Sequence, residues 1–160
     1  MRPTDSPGRI RTLLTLYREC HYDVAMAQGV ATLRIGTAAP PAIADWLGAA
    51  PLGAFLTATN PHSQALKAPE NRRRMDLLAA ALDGIGARYL HGVGHIPGER
   101  WREPSLFVAD ADPAQLDALM QRFEQNSILT LARGGHVRLR LYRPDWHATL
   151  GNAADLDWAE

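Results

Sequence analysis

The sequence predicts an α+β fold: a single layered domain with one mixed β-sheet, three or four helices and a C-terminal β-hairpin. Three observations carry this. Helical and strand-like periods alternate along the chain. Two pairs of strand-like runs are joined by short turn-forming stretches. Strand–helix–strand pieces between them offer crossovers that place parallel strands inside the sheet.

Residues 1–8 combine Pro, Ser, Asp and Gly without periodicity and are expected to form a disordered tail ahead of a domain over 9–143. Ile10, Leu13, Leu14 and Tyr17 recur at helical spacing. His21–Met26 and Ala31–Ile35 are strand-like, with Gln28-Gly29 as the turn between them. Pro40-Pro41 opens a short helix that Gly48 ends. Gly53–Thr59 is an apolar strand halted by Asn60-Pro61. Pro69 and Glu70 suit a helix start, and Met75, Leu78, Leu82 and Ile85 share one face until Gly84 and Gly86 stop it. Arg88–Val93 and Pro104–Ala109 are strands around a Gly- and Pro-bearing loop. Asp112-Pro113 caps a helix with Leu116, Leu119, Met120 and Phe123 on one face, and Asn126 is the candidate left-handed residue that ends it. Ser127–Ala132 and Val137–Tyr142 form the clearest hairpin, turning at Gly134-Gly135. Residues 144–160 are expected to be a tail; they carry Trp146 and Trp158 but no period.

Composition narrows the function classes. At 160 residues, 46% hydrophobic and 21% charged, the chain is neither disordered nor fibrous. Seventeen basic residues balance seventeen acidic ones, so neither nucleic acid nor an anionic membrane is an expected partner. Lys67 is the only lysine; the arginine excess accompanies abundant Ala, Gly and Pro, as GC-rich codon usage would produce. There is no apolar run of membrane-spanning length and no legible signal peptide, so the expected location is cytoplasmic. Cys20 is alone and forms no internal disulfide.

Four polar segments stand at element ends. Thr57–Ser63 brings Asn60 and Ser63 to the end of an apolar strand, where ligands often sit; the bland alternative is that both bond their own turn. Asn71 and Arg74 lie in the first turns of a helix, where Arg74 would hold an anionic group; the preferred bland reading is a solvated helix face for the three arginines, with Glu70 paired to Arg74. Glu103 and Ser105 follow Trp101 at a strand entry, where burial would raise Glu103 toward a useful acid–base range. Gln125 and Asn126 pair two amides at a helix end, able to orient a small ligand or to cap the helix.

Sharper chemistries find no footing. His91 and His95 are four apart but flanked by Gly92 and Gly94, against the helix a metal pair would need. No phosphate-cradling loop or nucleophile elbow is present, and no cofactor signature is legible. Arg138 and Arg140 line one strand face without interleaved aromatic residues for nucleic-acid stacking.

The order LYREC-HYDV, ATLRIG, AFLTATNPHS, PENRRRMDLLAAAL, WREPSLFV, FEQNSILTL and VRLRLY, over about Leu13 to Arg143, resembles the bacterial family designated domain of unknown function 3293. Thr59 departs from its pattern, where a bulkier residue stands as often. The resemblance implies a bacterial, intracellular domain and no particular activity. The expected function is small-molecule binding in a shared polar pocket, with Glu103 as the acid–base group if chemistry occurs. The alternative is a homo-oligomeric or partner-binding module with Trp146 and Trp158 as anchors.

Overall fold

The computed structural model describes residues 4–160. Among the described residues, five helices and eight strands follow in the order α1 (Pro7–Glu19), β1 (His21–Met26), β2 (Gly29–Leu33), α2 (Pro41–Leu47), β3 (Leu52–Leu56), α3 (Ala68–Gly84), β4 (Arg88–His95), β5 (Arg102–Ala109), α4 (Pro113–Arg122), β6 (Ser127–Ala132), β7 (Arg138–Leu141), α5 (His147–Leu150) and β8 (Leu156–Trp158). Short 3-10 turns occupy Pro61–Ser63 and Pro144–Trp146. The class is α+β, with all eight strands in one mixed sheet ordered β2-β1-β4-β5-β3-β6-β7-β8.

Its centre is a β3-α3-β4-β5-α4-β6 unit. β3 lies between β5 and β6, antiparallel to both, and β4 flanks β5. This is the split βαβ arrangement, in which each crossover leaves a gap that another strand fills. The expected parallel neighbours are therefore absent from the middle of the sheet. Among the described residues the one parallel pair is β7 with β8 at the far edge. The β1–β2 hairpin extends the opposite edge through β4.

Alternation along the strands sends side chains to two cores. Leu56, Leu106, Val108 and Ile128 pack under Leu78 and Leu82 of α3 and Leu116 and Met120 of α4. Phe55, Phe107, Leu129 and Leu139 point the other way, against Ile10 and Leu14 of α1, Ile43 and Leu47 of α2, and Trp146.

Both expected tails differ from their reading. Met1–Pro3 lie outside the described residues, but Ser6 caps α1 by accepting from Arg9 N, and Asp5 accepts from Trp146 Nε1 at 3.1 Å. Beyond Arg143, Trp146 is wholly buried and β8 joins the sheet. Three short elements with no period of their own left nothing for a pattern search to find. The first hairpin turns at Ala27-Gln28, one residue earlier than expected, because Met26 pairs directly with Gly29.

Helix α4 ends on Glu124 rather than Asn126. Glu124 takes the left-handed conformation at φ 56°, Gln125 N donates to Met120 O, and Glu124 N donates to Gln121 O. That is the Schellman pattern, and α3 closes in the same way with Gly86 in the left-handed place.

Candidate functional site

The rim formed by the ends of β3 and β4 and the starts of β1, β5 and β6 holds a cavity of about 330 Å³, roofed by α1. Six of the sequence-flagged residues line it: Asn60, Ser63, Glu103, Ser105, Gln125 and Asn126. They meet because β3 and β5 pair antiparallel, which sets the residues after Leu56 beside those before Leu106. Thr57 locks this junction by donating its hydroxyl to Pro104 O at 2.7 Å.

Asn60 sits in left-handed backbone at φ 47°, a conformation Asn tolerates better than most residues. Its side chain is pinned. Oδ1 accepts from Leu66 N at 3.1 Å and from Asn71 Nδ2 at 2.8 Å, while its own N–H donates to Asn71 Oδ1 at 3.0 Å. With the oxygen so occupied, Nδ2 faces Glu103 and donates to Oε2 at 3.3 Å. Asn71 is thus not a lining residue; it holds Asn60 in place. Ser105 donates to the backbone oxygen of Glu103 at 3.1 Å, fixing the strand entry.

A second network braces the opposite wall. Asn126 Nδ2 donates to Ser63 Oγ at 2.9 Å, and Ser63 Oγ meets the Tyr17 hydroxyl at 3.3 Å. Asn126 Oδ1 accepts from buried Arg143 at 3.1 Å, whose guanidinium also pairs with Asp5 and Asp145. Gln125 donates to Thr59 O at 2.8 Å and Phe123 O at 3.2 Å, so its N–H groups are committed to the wall.

The remaining surface is largely aromatic and apolar: Tyr17, Tyr22, Phe55 and Trp101, with Leu13 and Leu16. Tyr22 packs edge-on to Phe55 at 5.3 Å. Gly94, cross-strand partner of Glu103, leaves the cavity floor bare; a Cβ there would lie 3.7 Å from Cys20 Sγ, within ordinary contact. Sequence reasoning assigned Tyr17 to a helix's apolar face and passed over Tyr22. The available signal was that a tyrosine on an apolar face still needs a partner for its hydroxyl.

Burial pushes the Glu103 carboxyl from 4.5 up to about 7, only partly countered by hydrogen bonds from Asn60 and Thr59. Burial also raises Tyr17, Tyr22 and Cys20, the last to about 11, so these three stay protonated at neutral pH. No Arg, Lys or His is among the lining residues.

Arg74 does not reach the cavity. Its Nε donates to Ala58 O at 2.5 Å and Nη2 donates to Phe123 O, so the guanidinium ties α3 to the ends of β3 and α4 instead of receiving an anion. Arg140 likewise is committed to Asp117 and Asp157. Arg138 donates to Leu156 O at 2.7 Å. His91 and His95 both lie on β4, and His95 bonds Asp23 at 2.7 Å. Among the described residues, no cluster of three or more His, Cys, Asp or Glu could hold a metal, and no helix is long and apolar enough to cross a membrane.

Fold and site together define a split βαβ domain with a sheltered, amphipathic cavity at one sheet rim. Residues 56–128 match the model of a family described as a protein of unknown function (DUF3293), the family the sequence resembles. That stretch runs from the last residue of β3 into β6 and contains all eight flagged residues. Searches of curated proteins and of solved structures found no match.

Proposed function

We propose that the protein is a small-molecule-binding domain whose ligand occupies the rim cavity, with Glu103 taking or giving a proton there. The observation that carries this is a buried carboxyl held near neutrality beside a sheltered space. Backbone strain beside it supports the reading: Asn60, His62 and Ser63 all have positive φ within four residues. Such strain is costly and clusters at working sites. With its hydrogen-bonding neighbours fixed on backbone and on one another, Glu103 is the group free to exchange a proton near pH 7. The interaction-module alternative loses one anchor, because Trp146 is wholly buried; Trp158 donates to Gly151 O at 3.2 Å.

The test is a thermal-shift screen across nucleosides, sugars, amino acids, organic acids and amines, run on the wild type and on Gly94→Leu. A ligand at a hundred times its dissociation constant adds about 2.7 kcal/mol. The expected result is a hit that disappears when leucine fills the floor, in a variant that still unfolds cooperatively. A hit unchanged by Gly94→Leu, or none in the panel, overturns the reading.

A further inference from the structure

We propose that the rim cavity, taken as the ligand site on the reading above, receives a small protonated amine on an apolar or ring-bearing body, its ammonium against Glu103. The lining carries two carboxylates, Glu99 and Glu103, and no cationic side chain. Among the arginines near its walls, Arg74 donates to the carbonyls of Ala58 and Phe123, Arg143 pairs with Asp5, Asp145 and Asn126, and Arg34 bonds His21 Nε2 and the Arg18 carbonyl. An anion entering here would meet Glu103 without a cationic side chain in the lining to receive it. A neutral ligand leaves Glu103 to hold its own proton, since burial already disfavours the charge, and gains nothing from the ionised carboxylate. An ammonium supplies the missing charge and donates to the carboxylate, and the Asn60 amide already on Oε2 is neutral, at 3.3 Å. Tyr17, Tyr22 and Trp101 add ring surfaces of the kind that attract a desolvated cation. About 330 Å³ is near the lower end for ligand pockets, which restricts the body to a single ring or a short chain.

Three probes of one shape separate the charges: phenethylamine, 2-phenylethanol and phenylacetate, titrated calorimetrically into wild type, Glu103→Gln and Gly94→Leu at pH 8. The amine is expected to bind at least tenfold more tightly than the alcohol, and the acetate most weakly. Glu103→Gln is expected to bring the amine within twofold of the alcohol. Alcohol or acetate binding as tight as the amine's, abolished by Gly94→Leu, overturns the amine assignment and leaves the cavity reading standing. An amine preference that survives Glu103→Gln also overturns the assignment. No binding by any of the three overturns it as well, and with an empty screen overturns the cavity reading too.

Discussion

Glu103 pays for its position in stability. In the unfolded chain its carboxyl titrates near 4.5, and in the folded protein near 7, because burial disfavours the charge. Below pH 4.5 both states hold the proton and folding is unaffected. Between 4.5 and 7 the unfolded chain releases it first, so stability falls as pH rises, and above 7 the full loss persists. A shift of this size corresponds to about 3 kcal/mol. Glu103→Gln, which cannot ionise, is therefore expected to match the wild type near pH 4.5 and exceed it by about 1–3 kcal/mol at pH 8. Urea unfolding at the two pH values measures this; a variant less stable at pH 8 than at pH 4.5 relative to wild type contradicts it. The polar side of the site was legible in sequence because Asn, Ser, Gln and Glu at the ends of apolar runs need a reason to be there. Of the aromatic side, Trp101 was legible beside Glu103 as a flat surface for a ring, whereas Tyr17 and Tyr22 were not, since they satisfy helix and strand periods as ordinary core residues do. Arg74 misled because a helix start rich in arginine looks the same whether its donors meet an anion or carbonyl oxygens.

At the scale of elements, α3 and α4 end in the same hydrogen-bonding motif with different residues in the left-handed place, Gly86 and Glu124. A non-glycine there carries a steric cost of about 1 kcal/mol. Glu124→Gly is thus expected to raise stability by about 0.5–1 kcal/mol, and Gly86→Ala, whose Cβ would meet nothing within 4 Å, to lower it by about 1 kcal/mol. Denaturant midpoints of the pair give both signs in one experiment, with equal or reversed shifts as the contrary result. The same contrast explains why the end of α3 was readable and that of α4 was not: glycine announces a positive φ, glutamate does not. Strand identity followed from alternation, but neighbour order did not. Alternation tells which face a side chain takes and is silent on which strand lies alongside.

Across the whole molecule, the segment around Asp5 and helix α1 close on the segment from Arg143 onward. Asp5 accepts from Trp146 and pairs with Arg143 at 3.0 Å, while Asp155 forms a two-point pair with Arg18 of α1 at 2.8 and 2.9 Å. Leu156 enters the core behind them. Deleting residues 144–160 is accordingly expected to cost several kcal/mol, since removing one buried Trp alone costs about 3–5 kcal/mol. Circular dichroism and urea denaturation of the truncated chain check this, and unchanged cooperative unfolding would contradict it. Such a variant reports on folding before it reports on association.

The cavity's floor and roof come from separate stretches of chain. The carboxyl, the amides and Trp101 fall within residues 56–128, whereas Leu13, Leu16, Tyr17, Cys20 and Tyr22 precede them. On the proposed reading, the carboxylate that meets a ligand's charged head therefore comes from one stretch, and much of the ring and apolar surface around it from another. Substitutions at Leu13 and Leu16 of α1 can reshape which bodies fit while the carboxylate that draws the head group stays where β3 and β5 hold it. A domain built this way can be retuned toward new ligands of one chemical type without rebuilding the part that recognises the type.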